Sequence, residues 1–311
     1  MLLTVLLLLA GAVFLYTGGN WLVQGSSSFA LRHGVSKLVV GLTIVAFGTS
    51  APELFISTVA ALKESTSIAI GNIVGSNIAN IALILGFAAI VNPPRVLTPT
   101  IRVQIPFAII ITGIFLALTL NGQIAAVDSV VLLSCFALFT GYCIWSAREK
   151  GKIKVEVESI LPSPLRDVVY IMIGLAGLTL GSEVFVRGSI RLAEYFGVSE
   201  FMIGLSVVAL GTSLPELATS IVAAAKRESE IVVGNVIGSC IFNILLVMGI
   251  VGLIKPIYKP DMSILLDMGV MLGLTILLLP MFYTGRRLSR IEGFALLLVY
   301  VGYITYIAIR G

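Results

Sequence analysis

Stretches of about 20 or more mostly apolar residues follow one another along almost the whole 311-residue chain, separated by short segments that carry most of the charges. Hydrophobic residues make up 58% of the chain and charged residues 12%, more apolar surface than one water-facing core hides, so lipid must act as solvent for much of it. In lipid each backbone N–H and C=O needs a partner within its own helix or within a closed barrel. These runs lack the polar and apolar alternation of barrel strands, so they read as helices. Ten are expected, at residues 3–28, 37–62, 67–92, 99–120, 124–146, 167–193, 200–225, 231–254, 262–283 and 290–309. The fold class is an all-α integral membrane protein. The run from Met1 has no basic leader and continues through Trp21, so it is read as the first helix and not as a cleaved signal peptide.

Lys and Arg in the loops set the orientation. With the N-terminus outside, the inner side collects Arg32, Lys37, Arg95, Arg102, Arg148, Lys150, Lys152, Lys154, Arg166, Lys226, Arg227, Arg286, Arg287 and Arg290. The outer side keeps Lys63, Arg187, Arg191, Lys255, Lys259 and Arg310. Both termini are therefore expected outside a cell membrane that the chain crosses many times. The net charge of +4 is a topology signal, and no nucleic-acid partner is expected. Cys135, Cys143 and Cys240 fall inside expected helices without CxxC spacing and read as buried thiols.

A second feature divides the chain in two. Glu216 follows Glu53 by 163 residues, and Asn243 follows Asn80 by the same 163. At this one offset Gly18 meets Gly181, Gly25 meets Gly188, Gly34-Val35-Ser36 meets Gly197-Val198-Ser199, Gly71-Asn72 meets Gly234-Asn235, and Pro93 meets Pro256. The expected organisation is a first five-helix repeat at 1–147, a charged linker at 148–166 and a second repeat at 167–311. Because five is odd, the second repeat enters the bilayer from the opposite side. Inverted repeats of this kind are the architecture of secondary transporters, with the substrate site near the midplane.

The repeats also carry the chemistry. Glu53 is the only charge within residues 38–62 and Glu216 the only one within 201–225. A carboxylate at membrane depth costs several kcal/mol and marks a pathway or a bound cation. Two of them brought together across the repeats suit a divalent ion. Pro52 and Pro215 lack an N–H and free the carbonyls of Gly48 and Gly211, so both helices are expected to break there. Those carbonyls and the hydroxyls of Thr49, Ser50, Thr212 and Ser213 are hard oxygen donors of the kind Ca2+ accepts. In the following helix Asn72, Ser76 and Asn80 stack on one face, and Gly71 and Gly75 form a GxxxG pair for close helix approach. His33 reads as a surface side chain. Asp128, Asp167, Asp261 and Glu292 lie near helix starts and read as caps. Glu183 and Asp267 lie deeper, where a gate, a proton site and a pairing with Arg or water all stay open.

The motifs GTSAPEL…GNIVGSNIAN and GTSLPEL…GNVIGSCIFN resemble the paired repeats of the cation/Ca2+ antiporter superfamily, specifically the sodium/calcium exchanger family with its compact prokaryotic members. The resemblance covers nearly the whole chain. It implies a ten-helix inverted-repeat fold in which helices 2, 3, 7 and 8 form the ion-binding core and helices 1 and 6 slide across it. It implies that Glu53 and Glu216 bind Ca2+ with the carbonyls of Thr49 and Thr212. It further implies Na+ sites at Ser50, Ser213, Ser76, Ser239, the two glutamates and the carbonyls of Ala46 and Ala209, with Asn80 and Asn243 as a polar or water site at the centre. Asn243 stands where many microbial and K+-dependent relatives carry Asp, so no K+ requirement is expected. Three Na+ for one Ca2+, a monomer in the bilayer and no cofactor complete the implied picture.

Two rival classes are weaker. An intramembrane enzyme would need a nucleophile and base pair or an HExxH motif, and neither occurs. A passive channel fits inverted repeats with a midplane site less well than a carrier does. An H+/Ca2+ antiporter on the same fold is the closest alternative, since a desolvated carboxylate can carry a proton.

Overall fold

The computed structural model describes residues 1–120, 123–149, 161–196, 209–258 and 262–310. Its elements in chain order are α1 (Leu2–Arg32), α2 (Lys37–Thr49), α3 (Ala51–Leu62), α4 (Thr66–Val91), α5 (Thr100–Leu120), β1 (Gln123–Ile124), α6 (Ala126–Glu149) and α7 (Pro164–Tyr195). They continue with α8 (Ala209–Thr212), α9 (Leu214–Ala225), α10 (Ser229–Ile254), β2 (Ile257–Tyr258), α11 (Met262–Tyr283) and α12 (Arg290–Arg310). Among the described residues eight helices are long and apolar enough to cross a membrane, and α2 with α3 makes a ninth span bent by 45°. The expected helix at 200–225 is described only from Ala209, as α8 and the short apolar α9.

Local chemistry sets the boundaries. Ser36 and Ser163 cap α2 and α7 by accepting from the N–H of Val39 and Arg166, and Pro164 takes the first position of α7, where its missing N–H costs nothing. Two tight reversals match across the halves: Glu64 and Arg227 both have φ 61°, and the next residue of each, Ser65 and Glu228, donates its N–H back to Ala60 and Ala223. The expected helix start at residue 124 is corrected: Gln123 and Ile124 pair antiparallel with Tyr258 and Ile257, and the helix begins at Ala126. Among the described residues four helical stretches widen to π geometry, at Gly41–Val45, Ala79–Ile84, Thr100–Gln104 and Asn243–Val247. Two of these begin at or next to Asn80 and Asn243, where such widening is common at functional positions.

Burial ranks the helices. In α4 and α10, 78% of the most apolar window is buried inside the protein, against 22–39% in the other long helices. These two form the centre, and the glutamate-bearing α3 and α9 pack against them. Outside this core α1 and α7 run antiparallel along their whole length. Glycines permit the contact: a methyl placed on Gly11, Gly18, Gly174 or Gly181 would come within 2.8 Å of backbone on the facing helix. Moving α1 forward and α7 back by 163 residues turns the Gly11–Phe185 pair into Gly174–Leu22, and Gly18–Leu178 into Gly181–Leu15, both of which also touch. Gly234 and Gly238 likewise bring α10 against the backbone of α2 at Leu38 and Leu42. The contact expected at Gly71 and Gly75 has no counterpart among the described residues.

The linker expected at 148–166 falls largely on residues 150–160, and Gly197, Val198, Ser199 and Asp261 also lie outside the described residues.

Candidate cation site

The breaks expected between Gly48 and Pro52 and between Gly211 and Pro215 fall at Ser50 and Ser213, two residues before each proline. Both serines sit near φ −85°, ψ 5°, between two helical pieces, and each proline occupies the second position of the helix that follows. This places Glu53 and Glu216 in the first turns of α3 and α9, both with no exposed surface. Of the two freed carbonyls, Gly211 O accepts from Ser182 Oγ on α7 at 2.5 Å. The packing around Gly48 is set by Leu175 of the same helix.

Each carboxylate is held by the opposite half of the chain. Ser50 Oγ donates to Glu216 Oε1 at 3.0 Å, and Ser213 Oγ donates to Glu53 Oε1 at 3.4 Å. Ser76 Oγ on α4 adds a second donor to Glu53 Oε1 at 3.3 Å. Around them lies a paired frame. Thr49 Oγ1 donates to Asn235 Oδ1 at 3.1 Å, and Thr212 Oγ1 to Asn72 Oδ1 at 3.5 Å. The two amides bind back to the glutamate helices: Asn72 Nδ2 reaches Ser57 Oγ and Glu53 O, and Asn235 Nδ2 reaches Ser220 Oγ and Glu216 O.

What is left over defines the chemistry. Among the described residues, Glu53 Oε2, Glu216 Oε2, both amide atoms of Asn80, Asn243 Oδ1 and Ser239 Oγ are buried with no hydrogen-bond partner. Orphaned carboxylate oxygens carry a large desolvation cost, which a cation offsets. Among the described residues no group of three or more His, Cys, Asp and Glu comes together. The donors here are two carboxylates with neutral hydroxyl, amide and carbonyl oxygens, a set that suits hard cations and not soft or imidazole-seeking metals.

Thr49, Ser50, Glu53, Ser76, Asn80, Thr212, Ser213, Glu216, Ser239 and Asn243 are all buried, and hydrogen bonds join Ser50 to Glu216 and both Ser213 and Ser76 to Glu53. Ala46 O already accepts from Ser50 N at 3.0 Å and Thr49 Oγ1 at 3.4 Å, and Ala209 begins α8. Sequence reasoning passed over Asn77, Ser57 and Ser220. Asn77 Nδ2 donates to Cys240 O at 3.4 Å, and Asn77 Oδ1 accepts from Asn243 Nδ2 at 3.0 Å. Its signal was available: Asn77 faces Cys240 in the repeat alignment, so it is a polar residue where the halves disagree.

The remaining acidic residues resolve differently. Asp128 and Glu292 cap as expected, accepting from Ala125 N and Ser289 N. Asp167 does not: it is fully buried and accepts from Ser28 Oγ and Arg32 Nε, both at 2.6 Å. Glu183 pairs with Arg187 on an exposed helical turn, and Asp267 takes both terminal nitrogens of Arg310, so pairing with Arg is the reading that holds for each. His33 is exposed, its ring tilted by 30° against that of Phe29. At the loop after α3, Lys255 donates to Glu64 and holds that carboxyl below the usual carboxylate range.

A family profile described as "Sodium/calcium exchanger protein" matches residues 3–145 and, separately, 167–309. The putative antiporter CaxA of Alkalimonas amylolytica is 36% identical over 97% of this chain and 98% of its own length. The inner membrane protein YrbG of Escherichia coli (strain K12) is 35% identical over 88% of this chain and 89% of its own. Among solved structures, the sodium-calcium exchanger NCX_Mj, soaked with Na+ and Sr2+, superimposes with a TM-score of 0.85 at 32% identity, covering 100% of this chain and 98% of that one.

Proposed function

The chain belongs to the sodium/calcium exchanger family, and on that premise we propose that it is a cation/Ca2+ antiporter of the cell membrane that exchanges Na+ for Ca2+ by alternating access. The observation that carries this reading is the pair Glu53 and Glu216, each buried, each held at Oε1 by a serine of the other half, each with Oε2 unpaired among the described residues. Ca2+ as substrate would be held by these two carboxylates with the carbonyls of Thr49 and Thr212. Na+ would use the same carboxylates with Ser50, Ser76, Ser213, Ser239 and the carbonyls of Ala46 and Ala209, while Asn80 and Asn243 complete the centre.

The exchange rule follows from competition for two negative charges. A loaded site is electrically compensated and tolerates coverage by the apolar helices α1 and α7. An empty one leaves two desolvated carboxylates and resists that movement. Several Na+ do what one Ca2+ does. We assign three Na+ per Ca2+, as the resemblance to the family implies, and no K+ requirement, since Asn243 stands where K+-dependent relatives carry Asp.

Ten spans in two inverted repeats of five are part of the same reading. Support comes from the family profile that fits each half, from the α1–α7 contacts that exchange into one another at an offset of 163, and from the hydrogen bonds that do the same. Both termini outside, in accord with the Arg-rich loops, and a monomeric carrier belong with it.

The test is uptake of radioactive Ca2+ into proteoliposomes under an imposed Na+, H+ or K+ gradient. Uptake should follow the Na+ gradient alone, and E53Q or E216Q should abolish it. Uptake that follows the proton gradient and ignores Na+ would make this an H+/Ca2+ antiporter, and robust Na+-driven uptake by either variant would refute the site.

A further inference from the structure

The two central asparagines occupy equivalent positions in the repeats, yet their surroundings differ in a way that fixes one and not the other. The polarity can be followed from a group with no choice. Cys240 O is a backbone carbonyl and only accepts, so the end of the Asn77 amide that meets it, at 3.4 Å, must be the NH2. Asn77 therefore turns its oxygen the other way, toward Asn243, at 3.0 Å. An oxygen there requires Asn243 to offer its own NH2. That leaves Asn243 Oδ1 as the free end, buried and without a partner among the described residues. All three residues have at most 6% of their surface exposed.

Asn80 has no such clamp. The position equivalent to Asn77 is Cys240, whose Sγ lies 3.9 Å from Asn77 O and does not polarise an amide as asparagine does. Both Asn80 amide atoms are buried without a partner among the described residues. One asparagine is thus held in a single orientation by another amide, while its twin meets only the weak thiol of Cys240.

We infer that Asn77 is a positioning residue that locks the Asn243 amide with its oxygen presented to the cation site, so that a neutral side chain acts there as a fixed oxygen donor. The inference rests on the reading of Glu53 and Glu216 as that site. An amide free to flip presents NH2 to a cation for part of the time, and those orientations oppose binding. The asymmetry assigns the fixed role to Asn243, whose oxygen is a constant ligand-like donor.

The experiment measures Na+-driven Ca2+ uptake in proteoliposomes as a function of Ca2+ concentration. Asn77→Leu removes the lock and should raise half-saturating Ca2+ about fivefold, the worth of one lost positioning hydrogen bond, with the maximal rate unchanged within about twofold. Asn77→Asp should stay near the parent protein, because its neutral acid donates O–H to Cys240 O and accepts from Asn243. In an Asn243→Asp background either orientation of residue 243 presents an oxygen, so adding N77L should change half-saturation by less than about twofold. Asn77→Ala replaces N77L in every arm if the leucine variant does not insert. The inference is overturned if N77L leaves half-saturation unchanged, or if it raises half-saturation equally in both backgrounds, the mark of a purely structural role. E53Q separates the two readings: an inactive E53Q beside a normal N77L removes only the role of Asn77, whereas an active E53Q removes the site itself.

Discussion

Ser50 Oγ donates to Glu216 Oε1 at 3.0 Å, from the break between α2 and α3 in one half of the chain to the first turn of α9 in the other. The reciprocal bond, Ser213 to Glu53, is longer at 3.4 Å. Each half thus positions the other's carboxylate, and neither glutamate is oriented by its own helix alone. A hydrogen bond to a charged acceptor contributes roughly 1.5–3 kcal/mol. Ser50→Ala should therefore raise the half-saturating Na+ concentration by about tenfold or more, and Ser213→Ala by less, because its bond is longer. Uptake assays on the two variants check both the size and the order. Equal effects would show that the two bonds are not distinguished in solution.

A second relationship holds the peripheral pair together. Asp167 accepts from Ser28 and Arg32, while Arg32 Nη2 also donates to Leu161 O at 2.5 Å, tying α7 and the segment before it to the end of α1. The ion pair is lopsided, with Asp167 fully buried and the Arg32 side chain 22% exposed. Arg32→Ala strands a buried carboxylate and should lower stability by about 3 kcal/mol, whereas Asp167→Ala leaves a guanidinium able to reach water and should cost about half as much. Unfolding in detergent followed by circular dichroism measures both. The reverse order would mean that the carboxylate finds another partner.

The site was legible where the repeat copies a residue, and obscure where it does not. Glu53 and Glu216 stand out because an isolated charge inside an apolar run is rare and occurs twice at one offset. The breaks were legible from Pro52 and Pro215, but their location at Ser50 and Ser213 depends on how the chain enters α3 and α9, which proline chemistry alone does not set. Asp167 looked like a helix cap because it lies in a first turn, and only the crossing of α1 over α7 brings Arg32 and Ser28 to it from more than 130 residues away. Asn77 was obscure for a related reason. Its partners are on α10, and only the packing of α4 against α10 shows that Asn77 reaches Asn243 and not lipid.

The glycines of the α1–α7 seam are the packing counterpart. A methyl at Gly18 would lie 2.7 Å from Leu178 N, a backbone atom that cannot rotate away. Gly18→Ala should therefore push the helices apart and lower stability by about 1–3 kcal/mol. Gly302, exposed on α12 with nothing within 4 Å, is the control, and Gly302→Ala should be neutral or stabilising by up to about 1 kcal/mol. Thermal unfolding of the two purified variants checks the contrast. If Gly18→Ala also slows uptake with half-saturation unchanged, the seam governs the transport step and not ion binding.

Electrogenicity is the sharpest consequence of the proposed exchange of three Na+ for one Ca2+. Three Na+ against one Ca2+ moves one net positive charge per cycle, whereas two Na+ would move none. A membrane potential of 100 mV acts on one transported charge with about 2.3 kcal/mol. At equilibrium this changes the Ca2+ gradient that a given Na+ gradient supports by roughly fifty-fold. In proteoliposomes clamped with K+ and valinomycin, steady-state Ca2+ accumulation should shift by that factor when the potential is reversed from zero to 100 mV in the favourable sense. A plateau indifferent to potential would point to electroneutral exchange, and so to a site that holds two Na+ in place of one Ca2+, each glutamate neutralised by a single ion.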